Sequence, residues 1–325
     1  MLISFIAAKA VIDGQLSLGS MLSVQYIVGQ MNVPLNNFIT FIRSYQDAKI
    51  SVKRLSEIHN KPNEESLDGQ LINELPQHKT IQVHHVDFRY GSSSSELVLK
   101  NISLTVPEAK VTAIVGASGS GKTTLLKLLL KFYEPTSGQI SVGNTNLVNL
   151  SYNFWRSQCG VVMQDGYVFA DSIARNVSES DATGAINRVK LQEAVKVANI
   201  EDFVEELPNG YNTRIGASGI GISGGQRQRL FIARAVYKNP EYLFFDEATS
   251  ALDANNEAVI MQNLEAFFKG RTVVVVAHRL STVKNADQII VLNQGEIVER
   301  GTHSELVAQR GYYYSLVKNQ LDLGN

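Results

Sequence analysis

Val111-Thr112-Ala113-Ile114-Val115 runs straight into Gly116-Ala117-Ser118-Gly119-Ser120-Gly121-Lys122-Thr123-Thr124. The first five residues are largely apolar and β-branched, the pattern of a buried strand, whereas Thr123 to Leu130 reads as the start of a helix. The loop between them fits G-x-x-x-x-G-K-[ST], with the strand before and the helix after that this motif requires. Its small residues let backbone N–H groups approach phosphate oxygens, and the helix N-terminus adds partial positive charge. Lys122 is suited to reach the β- and γ-phosphates of a nucleoside triphosphate, and Thr123 to set its hydroxyl on Mg²⁺. The bland alternative is a glycine-rich turn without a ligand. The lysine-threonine pair and both flanking elements argue against it.

A second buried strand is expected over Tyr242 to Phe245, ending in Asp246-Glu247. A carboxylate at a strand's carboxyl end can hold the Mg²⁺ shell from across the phosphate loop, the role expected of Asp246. Glu247 then stands where a group could orient or deprotonate an attacking water. Two adjacent acids after a strand are, by themselves, as readily a solvated turn. The four apolar residues before them and Ala248-Thr249-Ser250-Ala251-Leu252-Asp253 after them weigh against that.

Between these two motifs lies Ile222-Ser223-Gly224-Gly225-Gln226, and the ordered set resembles the nucleotide-binding domain of ABC (ATP-binding cassette) proteins. The likeness runs from about residue 80 to about 320. It implies an α/β fold, an ABC-type P-loop ATPase domain with a helical subdomain, and ATP with Mg²⁺ as its ligands. It also implies that Gly116 to Thr124 bind ATP, that Tyr90 stacks on adenine, and that Gln164 touches Mg²⁺ beside Thr123 and Asp246. His278 resembles the switch histidine at the γ-phosphate, and Ser250-Ala251-Leu252-Asp253 resembles the loop that crosses between paired domains. Ser223, Gly224, Gly225 and Gln226 resemble the signature that binds the partner domain's ATP, so two copies in a head-to-tail homodimer complete two sites. Two departures stand out: Ile222 replaces the commoner leucine, a mild apolar swap, and Gly216-Ala217-Ser218 stands where exporters often have a glycine-glutamate pair.

Outside the motifs the cassette should hold an early antiparallel β region at about 81–110, core strands near 111–115, 160–163, 242–245 and 272–277, and a helical insert near 171–240. The segment Asp165–Asn176, which follows Gln164, is the candidate for contact with membrane helices.

Ahead of the cassette, Gly14 to Ile42 carries no charge and is long enough for a transmembrane helix, which needs about 20 residues. At 100° per residue Gln25, Gly29, Asn32 and Asn36 share a stripe opposite Val24, Ile27, Met31, Leu35, Phe38 and Ile42. Amides are costly against lipid, so that stripe should face other helices or a wet pathway. A buried soluble helix is the alternative. Arg43, Lys49, Lys53 and Arg54 follow the stretch, which by the positive-inside rule makes the ATPase side cytoplasmic, in a multi-pass cell (inner) membrane protein. Met1 to Val11 reads as the tail of a preceding membrane helix.

Asp13 to Gly19 and Ser51 to Ile58 resemble segments flanking the last membrane helix of ABC exporters, most closely half-transporters that secrete peptides or bacteriocins. The expected organisation is therefore an exporter transmembrane part at 1–59, a linker at 60–79 bearing Pro62 and Pro76, and the nucleotide-binding domain at 80–325. Such exporters have six membrane helices per half. The chain thus resembles a C-terminal part, from a truncated frame, a split gene or a cut piece, whose partners would be a second cassette, further membrane helices and a peptide substrate. A non-transporting soluble ABC ATPase and an inactive remnant are the competing readings. The formal net charge of −1 over 325 residues offers no basic patch for nucleic acid, and the single cysteine, Cys159, excludes an intrachain disulfide.

Overall fold

The computed structural model describes residues 2–61, 63–64, 71–91, 95–181, 184–217, 219–248, 252–277 and 283–323. Contacts divide the chain after residue 67 into two units.

The first unit is helical, with α1 at Leu2–Ile12 and α2 at Leu18–His59. Ser17 caps α2, its Oγ accepting from the Ser20 N–H at 3.1 Å. The 42-residue α2 runs through Pro34 and has no buried residue, so Ile27, Met31, Leu35 and Phe38 are all exposed. Although α2 covers nearly all of the uncharged stretch, no helix among the described residues is long and apolar enough to cross a membrane. The amides supply the reason: Gln25, Gln30, Asn32, Asn36 and Asn37 dilute the apolar residues around them.

The second unit holds two sheets. Strands β1 (Ile81–Phe88), β2 (Leu99–Val106), β4 (Ser137–Val142) and β5 (Thr145–Asn146) form an antiparallel sheet in the order β2-β1-β4-β5. The six-stranded sheet runs β10-β9-β3-β8-β7-β6, built from β3 (Val111–Val115), β6 (Cys159–Val162), β7 (Tyr242–Asp246), β8 (Thr272–Val276), β9 (Gln288–Asn293) and β10 (Glu296–Gly301). All its pairings are parallel except β9 with β10.

Period-two alternation sorts the side chains of this sheet into two cores. Ala113, Val115, Leu243, Phe245, Val273 and Val275 pack on one face with the helical side, including α6 (Arg188–Val197), α8 (Gly224–Tyr237) and α9 (Ala254–Phe268). Ile114, Phe244, Val274 and Val276 pack on the other face, against α3 (Lys122–Leu129), α4 (Tyr152–Gln158) and the antiparallel sheet. Trp155 of α4 is fully buried there, donating its indole N–H to the Leu129 carbonyl at 2.9 Å. Because both faces are covered, the central strands read as unbroken apolar runs.

Residues 71–79 are stitched to this unit. Ile72 bridges Leu150, Leu75 packs on the second core, and the Tyr242 hydroxyl donates to the Lys79 carbonyl at 2.9 Å. The insert between β6 and β7 is helical as expected, with α5 (Ile173–Val177), α6, α7 (Glu201–Glu205) and α8. The C-terminal helices α10 (His303–Gln309) and α11 (Tyr312–Leu323) add Leu306 and Tyr313 to the first core.

Candidate functional site

Parallel register sets the site. Val162 pairs with Phe245, Phe245 with Val275, and Val275 with Ala113, so β6, β7, β8 and β3 reach their carboxyl ends almost level. The phosphate loop, Gln164, Asp246 and Glu247 all emerge at that edge. The strand leading toward His278 ends there too, with the Ala277 N–H donating to the Ile114 carbonyl at 3.2 Å. His278 itself lies outside the described residues, as do Thr249, Ser250 and Ala251.

The loop holds its shape through close approaches. A Cβ on Gly116 would sit 2.1 Å from the Leu292 carbonyl oxygen, and Gly121, at φ +102°, is the residue from which α3 starts without any side-chain cap. The first amides of α3 are therefore not closed off by a side chain. Lys122 is 5% exposed and donates to the carbonyls of Gly116 and Ala117, each at 2.9 Å. Burial lowers its pKa, opposed by the charges of Glu247 and Asp246. Ser120 Oγ is buried without a hydrogen-bond partner.

Asp246 is 1% exposed, and neither carboxylate oxygen has a hydrogen-bond partner of normal geometry. Burial raises its pKa; the Thr123 hydroxyl is near enough to lower it, Glu247 raises it further, and Lys122 and Lys127 lower it. A buried carboxylate with both oxygens unmet, beside a threonine hydroxyl, is a hard-oxygen donor set that suits Mg²⁺, which takes few protein ligands and keeps waters and phosphate oxygens. Among the described residues no cluster of three or more His, Cys, Asp or Glu could hold a metal.

Glu247 departs from strand geometry with φ +51°. Its N–H donates to the Val276 carbonyl at 3.1 Å, and its carbonyl accepts from Gln228 Nε2 at 2.8 Å. Gln164 is exposed beyond the end of β6. Tyr90, two residues past β1, is 38% exposed; its hydroxyl lies 3.1 Å from Thr124 Oγ1 and its ring packs edge-on to Phe88 and Tyr133.

The signature opens α8. Ser223 is its N-cap in a full capping box: Ser223 Oγ accepts from the Gln226 N–H at 3.2 Å, and Gln226 Oε1 accepts from the Ser223 N–H at 2.8 Å. Ser223 and Gly224 are exposed, and Ile222 packs against the first core. Asp253 caps α9, accepting from the Asn256 N–H at 3.2 Å and from Asn256 Nδ2 at 2.6 Å, and these bonds lower its pKa. The segment after Gln164 is pinned by Asn176, which is fully buried: its Oδ1 accepts from the Phe169 N–H and its Nδ2 donates to the carbonyls of Phe169 and Ser172. Gln228 and Tyr133 were not singled out by sequence reasoning, since neither stands at a named position of a motif.

With this geometry the likenesses to known proteins fall into place. The family described as ABC transporter matches residues 99–250. The leukotoxin translocation ATP-binding proteins LktB of Mannheimia haemolytica and of Bibersteinia trehalosi are each 44% identical over 98% of this chain and 44% of their own length. The chain thus spans less than half the length of these curated relatives. A solved structure of a bacterial Atm1-family ABC exporter with ATP bound superposes with a TM-score of 0.77 at 32% identity, over 94% of this chain and 53% of that one. With an α/β ABC ATPase fold preceded by a long N-terminal helix, the chain belongs to the ABC transporter family through an ATP-binding domain of the ATPase type.

Proposed function

We propose that the chain binds and hydrolyses ATP to drive export across a membrane, and that its cargo is a peptide or small protein of the bacteriocin or toxin kind. The observation that carries this reading is Asp246: a buried carboxylate with both oxygens unmet, level with the phosphate loop and followed by Glu247. In this reading Gly116 to Thr124 cradle the phosphates, Lys122 leaves its loop carbonyls for the β- and γ-phosphates, and Tyr90 leaves Thr124 to stack on adenine. Thr123, Asp246 and Gln164 would hold Mg²⁺, which neutralises charge on the phosphate oxygens. Glu247 activates the water and His278 meets the γ-phosphate.

The exposed amides at the start of α8 favour a second copy as partner, with Ser223, Gly224, Gly225 and Gln226 facing the partner's ATP and Asp253 in the loop between them. The leukotoxin translocation relatives support a secreted polypeptide as cargo. The remaining proposals are organisational. Residues 1–59 act as part of an exporter transmembrane domain, 60–79 as linker and 80–325 as nucleotide-binding domain. The ATPase faces the cytoplasm of a cell (inner) membrane, α2 covers its amides against further membrane helices of its own or of a partner chain, and Asp165–Asn176 contacts their cytoplasmic ends.

Glu247→Gln tests the reading. In the purified chain it should retain ATP binding while hydrolysis slows by about 10²-fold or more, the scale of losing a general base. The same variant should elute as a dimer when ATP is added. A strictly monomeric profile at saturating ATP would count against the composite site.

A further inference from the structure

Both peptide groups that flank the Cα of Glu247 are held, and they are held by different elements. Its N–H is bound to β8 through Val276, and its carbonyl to α8 through Gln228, whose side chain is 8% exposed. Between these two anchors the residue sits at φ +51°, a left-handed conformation that is strained for a side-chain-bearing residue and persists only when its surroundings over-determine it. Arg229, next on α8, donates to the Asn199 carbonyl at 2.5 Å; Asn199 Nδ2 donates to Asn256 Oδ1 at 3.0 Å, and Asn256 is bound in turn by Asp253. Gln228 thus holds Glu247 directly, while Arg229 is linked to Asp253 only through Asn199 and Asn256.

We infer that Gln228 is a positioning residue for Glu247: its amide, carried on the signature helix, fixes the strained backbone from which the water-activating carboxylate projects. The inference rests on the proposed role of Glu247. Its physical content is that rotation about the Glu247 backbone swings the whole side chain, and a misplacement of about 1 Å in a catalytic group can cost on the order of 10²-fold. A shift at the start of α8, where a partner's phosphate would dock, is then felt at the carboxylate of the same chain.

Gln228→Met keeps side-chain length and removes the donor. In the full chain, kcat for ATP should fall by about ten- to a hundredfold with KM within about twofold of wild type. Combined with Glu247→Gln, it should lower the residual single-turnover rate no further, because the group it aims is already gone. Gln228→Glu adds a readout that loose packing does not mimic: the protonated acid can donate to the Glu247 carbonyl and the carboxylate cannot, so its kcat relative to Gln228→Met should rise as pH falls. A Gln228→Met chain hydrolysing ATP like wild type overturns the inference, as does an undiminished loss in the Glu247→Gln background or a flat pH dependence for Gln228→Glu. Wild-type turnover abolished by Glu247→Gln keeps the function standing in each case. A Glu247→Gln chain with full activity removes that function and the inference with it.

Discussion

Two helices of the cassette begin at glycine-rich turns, and they begin in opposite ways. α3 starts from Gly121 with no side-chain cap, whereas α8 starts from Ser223 inside a closed capping box. In α3 no side-chain cap closes the first amides, and the Lys122 ammonium lies on the loop beside them, so an anion is the natural cap. In α8 the N–H groups of Ser223 and Gln226 are already met by side chains of the same turn, which leaves Gly224 and Gly225 as the amides to offer. The open end suits a ligand bound tightly by one chain. The closed end is stable alone and suits a weaker contact made when a second surface arrives.

The largest effect that separates the two ends should come from Lys122. Lys122→Ala removes the cation of the open end, and the affinity for a fluorescent ATP analogue should drop by about a hundredfold or more, the scale of one or two charge-assisted hydrogen bonds. Unchanged affinity would undo the phosphate-loop assignment.

Ser223→Asp should sharpen the contrast. Aspartate caps as well as serine and suits the helix dipole, so the melting temperature should hold. A negative charge facing a partner's phosphate should nonetheless lower steady-state hydrolysis by about tenfold or more while ATP binding to the single chain is kept. Equal hydrolysis by Ser223→Asp and wild type would mean that the closed end meets no phosphate.

Asp246 offers a pH test of the open end. Its pKa is raised in the fold, so the folded chain holds its proton more tightly than the unfolded chain does. Stability of the nucleotide-free protein should therefore decline as pH rises from the ordinary aspartate pKa through the elevated one. Asp246→Asn should abolish that decline and raise the melting temperature near neutral pH by about 2–4 °C, while Mg²⁺-dependent hydrolysis is lost. Calorimetry across pH without nucleotide reads the first effect, and a fall in melting temperature would show that the carboxylate is compensated.

The smallest effect belongs to Ser223→Ala, which opens the capping box. Loss of a cap costs about 1 kcal/mol, and the melting temperature should drop by about 2–4 °C with ATP affinity of the single chain unchanged. Thermal melts beside equilibrium ATP binding check both halves.

How far the sequence could be read follows the range of the interactions. The strand, loop and helix at 111–130 were legible because local pattern and motif agree, and the same holds for β6, β7 and β8, whose apolar runs reflect burial on both faces. Strands β4 and β5 were not read: Ser137–Val142 opens with Ser137 and Gly138, and Thr145–Asn146 is too short to show a period. The uncharged stretch at 14–42 was legible as a helix, but its amides leave it short of the apolar character of a span. Gln228 was invisible for a different reason. Its partner is a backbone carbonyl 19 positions on, and nothing in residue type announces such a bond before the chain has folded.

The level ends of the parallel strands carry a consequence for assembly of the protein. Sliding β3 by one residue against β8 would carry the phosphate loop about 3.3 Å along the strand and turn Ile114 toward the helices and Ala113 toward the second sheet. A misthreaded sheet of this kind could keep its helices and strands, and its circular dichroism would look native. If Lys122 and Asp246 meet the same phosphates as proposed, such a sheet would not cleave ATP. Turnover is therefore a finer gauge of correct threading than any spectroscopic measure of secondary structure, and refolding yields scored by hydrolysis should lag those scored by ellipticity.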